Sequence, residues 1–80
     1  MPRLTPVHWR VLECIFLLDG FTFERKKGDH NCYSKPDVLR PVVIPRYSEV
    51  AVDIIMSNMR TAGMARERYL SLIEKCKGKA

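Results

Sequence analysis

From residue 7 onward apolar positions recur at helical spacing. Val7, Val11, Cys14, Ile15 and Leu18 form one stripe, and Trp9, Leu12 and Phe16 form a second beside it. Thr5 ahead of Pro6 predicts the start, because threonine caps free amides and proline fits the first helical position without losing a hydrogen bond. Gly20, after Asp19, predicts the end through a left-handed cap. A helix apolar on two sides is expected either to lie wedged between a sheet and another helix or to keep one stripe for a partner protein. At Phe21 the period changes to two: Phe21 and Phe23 alternate with Thr22 and Glu24, as in a strand with one buried face, and the strand turns basic through Arg25, Lys26 and Lys27.

Gly28-Asp29 predicts a tight turn into a second strand from His30 to Lys35, with Asn31, Tyr33 and Lys35 on one face and His30, Cys32 and Ser34 on the other. Pro36-Asp37 opens the next hairpin loop, and Pro41 and Pro45 bracket a short third strand. Ser48 is placed to cap a second helix in which Val52, Ile55, Met56 and Met59 share a face and Gly63 ends it. A short third helix gathers Tyr69, Leu72, Ile73 and Cys76, and its basic end from Lys75 is expected to fray. Met56, Met59 and Met64 read as core fillers. The predicted class is α+β: a three-stranded antiparallel meander with the two long helices on one face and a short C-terminal helix. The other face stays open to partners.

Eighty residues suit one domain spanning residues 1–80. A hydrophobic content of 46% supplies a core. No apolar run approaches the ~20 residues of a membrane span, and none is placed as a signal peptide, so a cytoplasmic protein is expected. Cys14, Cys32 and Cys76 are widely separated and read as reduced core thiols. His8 and His30 have no second ligand nearby, so no metal or cofactor is expected. The net charge of +5 is uneven: residues 22–46 hold Arg25, Lys26, Lys27, Lys35, Arg40 and Arg46 against Glu24, Asp29 and Asp37. Such a surface attracts a polyanion by releasing its counterions.

The most informative stretch runs from Gly20-Phe21 to Arg25-Lys26-Lys27-Gly28-Asp29-His30, where a histidine follows a tight glycine turn beside three cations. Cutting RNA without a metal requires removing a proton from a 2′-hydroxyl, neutralising charge on the phosphate and protonating the leaving 5′-oxygen. An imidazole, with an unperturbed pKa of ~6.5, serves the first or last need, and lysine and arginine serve the second. His30 is therefore the candidate catalytic residue. Arg25, Lys26, Lys27, Lys35 and Arg46 are candidate RNA contacts, while Tyr33 and Tyr47 are candidates to stack on bases. His8 reads as a solvent-facing residue of the first helical turn.

The same residues, together with Tyr33, Pro36-Asp37, Val43-Ile44-Pro45, Ala62-Gly63-Met64 and Tyr69, resemble the HicA family of toxins over most of the chain. That resemblance implies a fold like the double-stranded-RNA-binding domain, an mRNA interferase activity and a HicB-like antitoxin partner. It also implies that His30 stands at the histidine of the family's Gly-Ser-His motif, and that Ile44-Pro45 and Ala62-Gly63 match its Val-Pro and Ala-Gly positions. Four residues depart from the pattern. Asp29 replaces serine, setting a carboxylate where it favours a charged imidazole and repels a phosphate. Tyr47 takes the place of a frequent second histidine, Asp53 that of a glycine, and Asn58 that of an apolar residue; the loop from Asp37 to Arg40 is also about one residue longer. The alternative reading is a non-catalytic RNA-binding module of the same fold.

Overall fold

The computed structural model describes residues 3–79. Its elements are α1 (Trp9–Leu18), β1 (Thr22–Lys27), β2 (His30–Ser34), β3 (Val42–Pro45), α2 (Val52–Ala62) and α3 (Arg66–Cys76). The strands form one antiparallel sheet in the order β1-β2-β3, the α+β meander that the periodicity predicts. α1 lies against β1, β3 and α3, wedged between sheet and helix, while α2 packs on β3. Leu12, Ile15 and Phe16 from α1, Tyr33, Val42 and Ile44 from the sheet, and Ile55, Tyr69 and Leu72 from the other helices meet in one hydrophobic cluster. Leu12 and Phe16 of the second stripe are fully buried there, and Trp9 is partly buried against the same cluster. α3 has 11 residues, the same length as α2, and continues to Cys76 where fraying was expected.

α1 ends as predicted: Gly20 has φ 100° and the Phe21 amide donates to the Phe16 carbonyl at 3.0 Å. Its start differs. Val7 forms an antiparallel bridge with Val50, so Thr5 and Pro6 stay outside the helix. The cap is His8, whose Nδ1 accepts from the Arg10 amide at 3.1 Å. That bridge also explains why Ser48 does not cap α2: the chain is held extended through Val50, and Ala51 becomes the N-cap without a side-chain bond. Gly63, at φ 65°, closes α2, and Met64 donates to the Met59 carbonyl at 2.9 Å. Met59 and Met64 are buried, but Met56 is exposed and fills no core.

The basic strand departs from simple alternation. Phe21 is buried before β1 begins, whereas Phe23 is 53% exposed and touches Tyr33 edge-on at 5.8 Å. Between Phe23 and Arg25 the register slips at a bulge. One extra residue inverts which side chains face which way for the rest of the strand. Beyond it Arg25 pairs with Cys32, Lys26 with Asn31 and Lys27 with His30. Directly paired residues share a face. Arg25 and Lys27 therefore stand on the face of His30, while Lys26 stands on that of Asn31 and Tyr33.

The cysteines correct a further expectation. Cys14 on α1 and Cys76 at the end of α3 are joined, with their sulfurs 2.12 Å apart, and only Cys32 is a free, buried thiol. The pair is 62 residues apart in sequence, and only the packing of α3 on α1 brings it together. No helix among the described residues is long and apolar enough to cross a membrane.

Two predictions follow from this core. A cross-link closing so long a loop restricts the unfolded chain by roughly 2–4 kcal/mol. Reduction with dithiothreitol, or Cys14→Ser with Cys76→Ser, should lower the melting temperature by about 10 °C or more in calorimetry. The second concerns alkali. Burial pushes the Tyr69 hydroxyl up to about 12, and burial together with a hydrogen bond to Glu13 pushes Tyr33 higher still. Unfolded tyrosines release their protons near ~10. Above that pH the folded state holds more protons than the unfolded state, so stability should fall as pH rises towards 12. Denaturant titrations at stepped pH should show this decline and a shallower one in Tyr69→Phe.

Candidate active site

The site is built around the β1–β2 turn. Gly28 adopts φ 62°, a left-handed conformation that a residue with a Cβ takes only at a cost, and the chain reverses over Gly28-Asp29. The turn is gripped from β3: the Arg46 amide donates to the Asp29 carbonyl at 2.8 Å, and Arg46 Nη2 donates to the Gly28 carbonyl at 3.3 Å. His30 then opens β2, paired with Lys27 on one side and Pro45 on the other. Its ring is 39% exposed, and Nδ1 lies 2.8 Å from Asp29 Oδ1. A neutral imidazole bonded to a carboxylate must carry its proton on the bonded nitrogen. Asp29 thus assigns the proton to Nδ1 and leaves the Nε2 lone pair free to accept another.

A short strap after β3 completes the surroundings. The Trp9 amide, a free donor at the start of α1, donates to the Tyr47 carbonyl at 3.1 Å, and Val50 is bridged to Val7. This places the Tyr47 ring edge-on to His30, with centroids 6.1 Å apart. Beyond these two rings a cleft of about 410 Å³ runs between β3 and α2, with Val43 and Pro45 on one wall and Asp53, Ile54 and Asn58 on the other. Asn58 is only 6% exposed, and its Nδ2 has no hydrogen-bond partner.

The candidate residues divide into those near this centre and those elsewhere. His30, Lys27 and Arg25 share one face, and Arg46 lies directly behind the turn, where its guanidinium holds backbone. Lys26 lies on the exposed edge strand but on the opposite face. Lys35 is beyond the far end of β2, with its ammonium 3.6 Å from Asp19 and 5.5 Å from the Phe21 ring centre. Tyr33 is fully buried on the helix side. There it accepts from Asn31 Nδ2 at 3.1 Å and donates to Glu13, which leaves its ring inaccessible to a base. Among the described residues no three His, Cys, Asp or Glu side chains form a metal-binding group.

Sequence reasoning treated Asp29, Tyr47, Asp53 and Asn58 as separate departures from a pattern. In the structure one of them bonds to the His30 ring and the other three line the cleft beside it. Their shared location was the signal, and it exists only once β3 and α2 are folded together. A family profile described as the HicA toxin of bacterial toxin-antitoxin systems matches residues 9–64, from the first residue of α1 to the residue after the Gly63 cap. No curated protein matches the chain.

Proposed function

We propose, from the premise that this chain belongs to the HicA toxin family of bacterial toxin–antitoxin systems, that it is an endoribonuclease that cleaves mRNA through His30 without a metal ion. Membership of the family implies an antitoxin partner; our reading is that this partner is HicB-like and that both act in the cytoplasm. The observation that carries the catalytic reading is the His30–Asp29 contact of 2.8 Å on a ring 39% exposed beside Lys27 and Arg25.

In this mechanism Nε2 of His30 takes the proton of a ribose 2′-hydroxyl. The freed oxygen attacks the adjacent phosphorus, forming a 2′-O–P bond as the P–O5′ bond breaks, and the departing 5′-oxygen takes a proton from solvent. The products carry a 2′,3′-cyclic phosphate and a 5′-hydroxyl, and the imidazolium returns its proton to solvent. Asp29 acts as a positioning residue: it holds Nδ1–H and stabilises the positive charge that His30 gains. Lys27 and Arg25 balance the charge growing on the phosphate. Arg46 keeps the turn in place and so acts on the reaction through His30.

Purified protein should cut single-stranded RNA in EDTA and leave cyclic phosphate ends. His30→Ala should fold normally by circular dichroism and lose about 10²–10⁴-fold in rate, the usual scale of a positioned acid or base. Cleavage that occurs only with added divalent metal, or that is undiminished in His30→Ala, contradicts the mechanism.

A further inference from the structure

The cleft beside His30 has a composition that the cleavage reading does not use. Its walls offer apolar surface from Val43, Pro45 and Ile54, an exposed aromatic ring from Tyr47, and four polar residues of α2, Asp53, Ser57, Asn58 and Thr61, of which Asp53 carries a charge and Asn58 is buried. Asn58 is over nine-tenths buried, yet its Nδ2 donor has no partner. A buried amide without a partner is costly, and an apolar side chain of similar size would avoid that cost. Asn58 lines the cleft, and the last torsion of an asparagine is broad, so a turn of the carboxamide would present it to a group that enters there.

The charge distribution limits what that group can be. Asp53 lines the cleft and Asp29 stands beside His30, so a phosphate would meet carboxylates here and cations only on the β1 side, at Lys27 and Arg25. A planar, uncharged group with hydrogen-bonding edges meets no such penalty. It can lie against Tyr47, receive a bond from Asn58 and donate one to Asp53. The volume of about 410 Å³ sits at the low end of small-molecule sites, enough for one such group and its sugar.

We infer that the cleft between β3 and α2 is a nucleobase pocket: it takes one unpaired base of the RNA next to the cut, stacks it on Tyr47 and reads its edge with Asn58 and Asp53. The inference rests on the ribonuclease reading for the identity of the ligand. It adds the source of sequence preference. The phosphate on the basic face and the base in the cleft would straddle His30, which places the ribose between them at the imidazole.

The test separates base reading from chemistry by using His30→Ala, which cannot transfer the proton and removes one ring from the cleft's edge but keeps Tyr47, Asp53 and Asn58. Fluorescence anisotropy is measured with uridine heptamers that carry A, C, G or U at the centre. One centre should bind about tenfold tighter than the weakest. The preference should flatten to within about twofold when Asn58→Leu is added, and all four should weaken together with Tyr47→Ala. Melting temperatures accompany each variant, and Asn58→Leu should melt no lower than its parent. Equal binding of all four heptamers, or a preference that survives Asn58→Leu, overturns the pocket even if the wild-type protein cuts RNA. A base preference that Asn58→Leu abolishes, in a protein that cuts nothing, supports the pocket and overturns the enzyme reading. No binding of any heptamer overturns both and leaves the cleft as a surface for protein side chains.

Discussion

The site depends on the grip of Arg46 on the backbone of the Gly28-Asp29 turn. Two hydrogen bonds reach the turn from the residue just after β3, one from the amide and one from the guanidinium. A two-residue hairpin loop at a sheet end would otherwise have only its own strands to hold it. With the turn fixed, Asp29 and His30 are adjacent residues whose side chains meet at 2.8 Å, and the imidazole faces outward from a defined position. The arrangement is economical in sequence. The residue that secures the turn directly follows the strand that pairs with His30.

Around that contact the fold acts as a frame. α1 packs against the sheet and donates its first free amide to the Tyr47 carbonyl, while the Val7–Val50 bridge ties the strap to the N-terminal arm. α3 covers the other side of α1 and is covalently tied to it through Cys14 and Cys76. α3 lies beyond the segment that matches the family, which ends at residue 64. Its contribution falls on the face of α1 away from the sheet, so it stabilises the frame without entering the cleft.

Much of this was legible from residue order. Helical spacing from Val7 to Leu18 and alternation from Phe21 gave the elements and their sequence. Gly20 and Gly63 marked helix ends because only a left-handed residue closes those turns at low cost. Features that depend on distant partners were not legible. The Val7–Val50 bridge moved two helix starts, and the Cys14–Cys76 link joins residues with no local relation. The bulge after Phe23 was hidden for a different reason. A bulge changes no residue type, yet it decides that Arg25 and Lys27, and not Lys26, share the face of His30. For the site, His30 was singled out from its neighbours in sequence, and its contact with Asp29 shows only in the fold; Tyr33 and Lys35, singled out with it, lie in the core and at the far end of the sheet.

The central claim is that Asp29 holds the His30 imidazole with its proton on Nδ1 and the opposite nitrogen free. The direct measurement is a long-range proton–nitrogen NMR spectrum of the histidine side chains, recorded at a pH where the rings are neutral. The account predicts a protonated Nδ1 and an unprotonated Nε2 for His30, with that bias lost in Asp29→Ala. A His30 ring protonated at Nε2, or one whose tautomer is unchanged in Asp29→Ala, would contradict it.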